Sequence, residues 1–186
     1  MSLINLNDFS NGPFSFPIPP HEDDRGTFRM IFRQSELKSR FPTIPPMTQL
    51  NYIENRQSSL RGFHGALEKA NHWKLVTCIS GAVTDAVLDI RPNSQTFGMI
   101  GMLQITANKP ELLVIPPGFA HAFQALETKT IAIYATNIEY PNQDEIDINP
   151  LIPSCKEIWG KSPIVSARDE NALRFDELLA AGKFYA

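Results

Sequence analysis

The chain has 186 residues, enough to bury a sizeable core without disulfides or a structural metal, and its two cysteines, Cys78 and Cys155, form no CxxC pair or zinc-like cluster. Its net charge of −3, with basic residues scattered, leaves no electrostatic footprint for nucleic acid, so nucleic acid is not an expected partner. There is no apolar run of about 18 residues and no basic-then-apolar leader, so a soluble protein of the reducing cytoplasm, without a membrane partner, is expected.

Fifteen prolines and ten glycines are spread along the chain, which speaks for many turns between short strands. In chain order, β-branched and aromatic runs predict a strand over 28–33, and Ser35 is placed to cap a short helix over 35–40. Further strands are expected over 49–53, 74–79, 82–90, 99–105, 112–115 and 130–136. The stretch from Thr84 to Asp89 alternates, so one face could meet a core and the other water or a ligand. Turn signals at Ser80-Gly81, Arg91-Pro92-Asn93 and Asn108-Lys109-Pro110 separate these runs. The tract 142–163 holds Pro150, Pro153 and Pro163 and reads as an ordered excursion over the surface. A helix is expected over 169–181, with Leu173, Leu178 and Leu179 ahead of Gly182. The pattern is that of an all-β sandwich or barrel, jelly rolls and cupins among the candidates, with helices confined to the edges.

Four segments combine reactive groups with backbone punctuation: Asp23-Asp24-Arg25-Gly26, Leu60-Arg61-Gly62-Phe63-His64, Pro116-Pro117-Gly118-Phe119-Ala120-His121, and the stretch from Tyr134 to Tyr140. Singly, each has an ordinary structural explanation: Asp-Arg-Gly is a common turn, and a lone histidine or strand-end tyrosine is usually a satisfied structural residue. Together, Arg61, His64, Lys74, His121 and Tyr134 are polar interruptions in strand-like apolar text. Pointed into a barrel, they would make a mostly apolar pocket with a few converging polar groups.

The sequence from about 23 to 169 resembles the dTDP-4-dehydrorhamnose 3,5-epimerase family of cupins. The resemblance rests on Asp23-Asp24-Arg25-Gly26-Thr27-Phe28, Gln49-Leu50-Asn51, Leu60-Arg61-Gly62-Phe63-His64 and Lys74-Leu75-Val76. It continues through Asp89-Ile90-Arg91, Thr96-Phe97-Gly98, Ile115 to His121, Tyr134-Ala135-Thr136-Asn137, Tyr140 and Ser166-Ala167-Arg168-Asp169. It implies one cupin domain over 1–186, an antiparallel jelly-roll barrel with an N-terminal strand arm, short peripheral helices and a C-terminal helical segment. It further implies an epimerase that inverts C3, C5 or both of a nucleotide-diphosphate-linked 4-keto-6-deoxy sugar, without cofactor or metal, in deoxysugar or surface-polysaccharide synthesis.

Carried across residue by residue, the resemblance makes His64 the general base with Asp169 bonded to it, and Tyr134 the general acid on the other face of the sugar. Lys74 and His121 fall where the family stabilises the enolate oxygen and lines the sugar pocket. Arg25 and Arg61 match diphosphate contacts, with Arg25 lent across a homodimer formed by strand exchange. Gln49, Asn51, Tyr140, Glu145 and Arg168 match further nucleotide or phosphate contacts. The chemistry asks for such groups: a proton beside a ketone yields to an imidazole when the enolate oxygen is stabilised in the same step, and inversion needs a donor on the opposite face.

The chain departs from the family at Met30, where a glutamate that helps bind the base is usual, and at Gly65-Ala66, where an aromatic and a glutamine are usual. Gly65-Ala66 opens volume beside His64, either admitting a larger sugar such as a heptose or filled by another side chain, and the nucleotide is dTDP, CDP or GDP. Arg168-Asp169 replaces a Lys-Asp pair with charge kept. Three rival readings stand beside the epimerase. A metal-dependent cupin could enlist His64, Glu68, His72 and His121, but position 66 is Ala, so the His-x-His spacing is missing. A sugar 3,4-ketoisomerase would carry two histidines near one another in sequence. A catalytically idle nucleotide-sugar-binding cupin would need neither a base paired with a carboxylate nor an opposed tyrosine.

Overall fold

The computed structural model describes residues 2–185. Thirteen strands appear in the order β1 (Leu3–Ile4), β2 (Phe14–Pro17), β3 (His21–Asp23), β4 (Gly26–Phe28), β5 (Gln49–Asn55), β6 (Leu60–Gly65) and β7 (Lys74–Ser80), continuing with β8 (Ala82–Asp89), β9 (Ile100–Thr106), β10 (Glu111–Ile115), β11 (Phe119–Ala125), β12 (Thr130–Thr136) and β13 (Ile146–Asp147). Three short α-helices, α1 (Gln34–Arg40), α2 (Ala167–Glu170) and α3 (Phe175–Ala180), lie at the edges. One sheet has the order β1-β9-β8-β11-β6-β13, the other β2-β10-β7-β12-β5, and β3 and β4 form a separate hairpin. The named strands pair antiparallel except for β1 on β9. This is the expected jelly-roll barrel of two facing sheets.

Three buried clusters divide the apolar residues. Between the sheets lie Val76, Cys78, Val83, Val87, Ile105, Leu113, Ile115, Phe119 and Phe123. Outside the six-stranded sheet, Leu60, Phe63, Ala86, Leu88, Ala120 and Ala122 are covered by Ile152, Trp159, Phe175, Leu178 and Phe184 of the C-terminal segment. Outside the five-stranded sheet, Leu75, Leu112, Val114 and Ala135 are covered by Ile18, Leu37, Ile44 and Trp73. Burying apolar area on three levels rather than one suits a chain with no disulfide among its described residues.

The structure changes several sequence-based expectations. The run 28–33 is strand only to Phe28, the end of the β3–β4 hairpin, because residues 29–33 turn back to pack Ile31 and Phe32 under α1. Helix α1 begins at Gln34 with Arg33 at the capping position, so Ser35 is not its cap. The helix expected over 169–181 is two helices. Ser166 caps α2 by accepting the Asp169 N–H at 3.1 Å, and the Asn171 side chain donates back to the Ala167 carbonyl at 2.7 Å, a local bond that competes with helix continuation. Leu173 is then held by the Asn149 N–H to its carbonyl at 3.0 Å before α3 starts. Strands β6 and β11, which carry both histidines of interest, are absent from the strands that the sequence predicts. In β11 all residues are buried, since Phe119 and Phe123 face the barrel interior and Ala120 and Ala122 face the C-terminal cover, so no alternation marks it.

Candidate active site

The site lies between the two sheets, and its first determinant is an irregularity in β6. Opposite β11, His121 pairs with His64 and Phe123 with Arg61, so β6 spends one residue more than its partner over that interval. Side chains three apart on a regular strand point to opposite faces, but the extra residue brings both Arg61 and His64 to the interior while Leu60 and Phe63 stay in the outer core. Gly62 sits at φ +107°, and a Cβ there would collide with the His121 carbonyl and Ala122. Glycine is therefore what lets the bulged strand lie against β11.

A cavity of about 270 Å³ is lined by Ile53, Arg61, His64, Lys74, His121, Phe123, Tyr134, Tyr140, Glu145, Ser166, Arg168 and Asp169. His64 Nε2 lies 2.6 Å from Asp169 Oδ1. An ionised carboxylate only accepts, so neutral His64 carries its proton on Nε2 and Nδ1 keeps the lone pair a base needs. Burial pushes the Asp169 carboxyl up, but hydrogen bonds from His64, Ser166 and the Gly62 amide outweigh it and hold the group below its ordinary value. Asp169 is thus an anion that orients the ring. Asp147, on β13 opposite His64, stands farther off at 3.9 Å from Nε2.

Lys74 is buried and donates from Nζ to the His64 carbonyl at 3.0 Å. Its burial lowers its pKa, while Glu145 and Asp147 pull the other way. His121 is tied through Nε2 to Asp85 Oδ2 at 2.9 Å. Asp85 has no exposed surface; burial raises its pKa, His121 counters that, and its Oδ1 has no partner. Tyr134 projects from β12 of the other sheet, so it faces His64 across the cavity. Burial raises its pKa, reinforced by Glu145 and opposed by Arg61 and Arg168, which keeps the phenol protonated and able to donate. Arg61 Nε donates to Asn55 Oδ1 at 2.9 Å, leaving the rest of the guanidinium fork for an anion.

The remaining expected residues divide. Tyr140 stands at the rim, 71% exposed, its N–H on Gln49 Oε1 at 2.8 Å. Gln49 in turn donates to Asn51 Oδ1 at 2.9 Å, and neither lines the cavity, although Asn51 Nδ2 is buried without a partner. Glu145 and Arg168 line it but are bonded to one another at 2.6 Å. Arg25 is on the exposed β3–β4 hairpin, paired to Asp23 at 2.6 Å, and is not part of this chain's own cavity. Met30 lines a separate apolar groove between the N-terminal arm and α1.

Of the two alternatives at Gly65-Ala66, the volume is filled and gives no extra room at the cavity wall. Ala66 is 2% exposed, and a Cβ on Gly65 would lie 2.6 Å from Ala120 Cα, so the space is filled by β11 itself. The histidines that a metal-dependent cupin would enlist are each bonded through Nε2: His64 to Asp169, His121 to Asp85, and His72 to Thr136 Oγ1 at 2.7 Å. Among the described residues no three of His, Cys, Asp and Glu form a metal-holding group. Sequence reasoning missed Asp85, Asp147, Asn55, Ile53, Phe123 and Ser166. Asp85 had a signal, its place in the Thr84 to Asp89 alternation, and Ser166 stood in the motif that ends at Asp169 and caps α2; the others reach the site through pairing with distant strands.

Residues 11–177 match the family model described as dTDP-4-dehydrorhamnose 3,5-epimerase. A dTDP-4-dehydrorhamnose 3,5-epimerase of Streptomyces griseus is 32% identical over 162 residues, covering 86% of this chain and 80% of that one. Among solved structures, a 3'-monoepimerase from Streptomyces bikiniensis in complex with dTDP-quinovose superposes with a TM-score of 0.88 at 27% identity, over 98% of this chain and 91% of that one. An epimerase of Mycobacterium tuberculosis superposes with a TM-score of 0.86 at 30% identity, over 92% and 88% of the two chains.

Proposed function

Because this chain belongs to the dTDP-4-dehydrorhamnose 3,5-epimerase family, we propose that its cavity inverts C3, C5 or both of a nucleotide-diphosphate-linked 4-keto-6-deoxy sugar, with His64 as base and Tyr134 as acid. The observation that carries this reading is one cavity with an aspartate-oriented histidine on one sheet and a protonated tyrosine on the facing sheet. A phosphate-binding module needs neither. Proton removal beside the C4 ketone leaves charge on its oxygen, and the Lys74 ammonium is the donor set beside His64 to stabilise it, with His121 lining the same cavity. Reprotonation by Tyr134 from the opposite face completes inversion, and no electron changes hands.

Arg61 is proposed as a diphosphate ligand, with Gln49, Asn51 and Tyr140 toward the nucleotide. Arg25 is proposed to complete the site of a second copy in a homodimer. Its support is an exposed hairpin that carries an arginine away from its own cavity, and, separately, an edge strand, β5, that exposes Leu50 and Tyr52. No helix among the described residues is long and apolar enough to cross a membrane, and the cytoplasm is proposed as its compartment. The relatives include dTDP-sugar 3,5-epimerases and a dTDP-sugar 3-epimerase, which makes dTDP-linked substrates the first to try. The test is incubation with dTDP-, CDP- and GDP-linked 4-keto-6-deoxy sugars in D₂O. Deuterium at C3 or C5 with inverted product is expected for one of them, and absence of exchange from all three would overturn the reading.

A further inference from the structure

The resemblance makes Arg168 a nucleotide or phosphate contact, yet its guanidinium is committed elsewhere. Nε donates to Asp147 Oδ2 at 2.7 Å, Nη2 to Asp147 Oδ1 at 2.7 Å, and Nη2 also to Glu145 Oε2 at 2.6 Å. The oxygen that Nη2 holds, Asp147 Oδ1, is the one 3.9 Å from His64 Nε2. Register puts it there: Asp147 on β13 is paired directly with His64 on β6. Two carboxylates therefore approach the same nitrogen, His64 Nε2, Asp169 at 2.6 Å and Asp147 at 3.9 Å.

We propose that Arg168 is a positioning residue: its fork holds Asp147 off the base, so that His64 answers to Asp169 alone. This deepens the epimerase reading and rests on His64 being its base. A neutral imidazole has one N–H, already given to Asp169, and a second uncompensated carboxylate close to the same nitrogen would favour the doubly protonated ring through its negative charge. An imidazole held as imidazolium has no lone pair with which to take a proton. Arg168 neutralises Asp147 and fixes its oxygens in a bidentate bond, which a lysine cannot do with the same geometry.

The groups around His64 are Asp169 and Arg168 from α2, Asp147 and the preceding Glu145 at β13, Lys74 from β7, His121 from β11, Arg61 from β6 and Tyr134 from β12. Removing Arg168 leaves all but one of these in place. The prediction is therefore about coupling, not merely about lost charge.

The experiment is a histidine side-chain NMR titration of the full chain, with the His64 signal identified by its absence from His64→Gln. Arg168→Gln should move the His64 midpoint to higher pH by roughly one unit, the scale expected of a newly uncompensated carboxylate. In an Asp147→Asn background the same Arg168→Gln change should move it by less than about a third of that. Equal displacements in the two backgrounds would mean that Arg168 acts as a bare charge, and no displacement would mean that it does not act on His64; either overturns the proposal. Arg168→Lys, which keeps charge but not the fork, should give a smaller displacement that also vanishes with Asp147→Asn, and it decides the proposal in the same way if Arg168→Gln does not fold. Calorimetry with dTDP supplies the competing outcome: a tenfold weaker affinity in Arg168→Gln that persists in the double variant, with the titration unmoved, would make Arg168 a phosphate contact instead. The titration uses no substrate, so its failure is separate from an absence of deuterium exchange, which would count against the epimerase reading.

Discussion

His64 and Tyr134 ask different things of one substrate carbon, and that difference can be measured. Without the base no carbanion forms, so His64→Ala should abolish deuterium uptake at the reacting carbon. Tyr134→Phe leaves the base and its Asp169 partner intact and should slow inversion more than exchange, because the proton is sometimes returned to its original face. Product stereochemistry and deuterium content, read together by NMR in both variants, check the assignment; robust exchange in His64→Ala or full inversion in Tyr134→Phe would reverse it. A second residue-scale expectation concerns His72, whose pKa is lowered to about 4 by burial and by the Lys74 charge, with Glu145 opposing. Below its ordinary value of 6.5 the unfolded chain binds this proton while the folded chain does not, so stability is present above pH 6.5 and is lost as pH falls toward 4. The loss is at most about 3 kcal/mol. His72→Gln should flatten that part of the stability profile, as urea unfolding of both proteins at pH 7 and pH 4.5 would show.

At the scale of elements, β6 is the strand on which the site depends. Its extra residue opposite β11 is what faces Arg61 and His64 the same way, and glycines at 62 and 65 let it approach β11 closely. Gly65→Ala would set a Cβ 2.6 Å from Ala120 Cα and from the Phe119 carbonyl, both backbone atoms that cannot swing aside. It should cost about 1–3 kcal/mol by overpacking, and because it displaces the strand that carries His121 it should also lower kcat. Denaturant unfolding together with turnover would register both effects; unchanged stability would mean that β6 and β11 have slack the geometry denies. Helix α2 has a comparable part on a smaller scale, since the Ser166 cap fixes the turn that presents Asp169 to His64.

For the whole molecule the open quantity is the second copy. If Arg25 serves the partner's cavity, Arg25→Ala and His64→Ala chains are each defective for a different reason. A mixed dimer then contains one site with both residues intact. Co-expressed in equal amounts, the two variants should recover about a quarter of wild-type activity, half of the dimers being mixed and each mixed dimer having one good site. Neither variant alone should do so. No recovery, with mixed dimers demonstrated by differential tagging, would mean that Arg25 does not serve the partner's cavity, and full activity of Arg25→Ala alone would place it outside the site.

The turn-separated apolar runs determined that the chain is an all-β sandwich or barrel, because period-two burial and Gly/Pro punctuation are local properties. The motif order from Asp23 to Asp169 likewise determined the family and named His64, Lys74, His121, Tyr134 and Asp169 as candidates that the structure gathers around one cavity. Tertiary structure alone decided the rest. Strands buried on both faces, β11 above all, carry no alternation to read. A bulge is a relation between two strands, so the shared face of Arg61 and His64 could not be seen in one of them. The space expected at Gly65-Ala66 was taken by a strand more than fifty residues away, and Asp147 reached His64 only because β13 pairs with β6. Composition and spacing specify which groups a chain brings; which of them neutralise one another is set by distances that exist only after the sheets have closed.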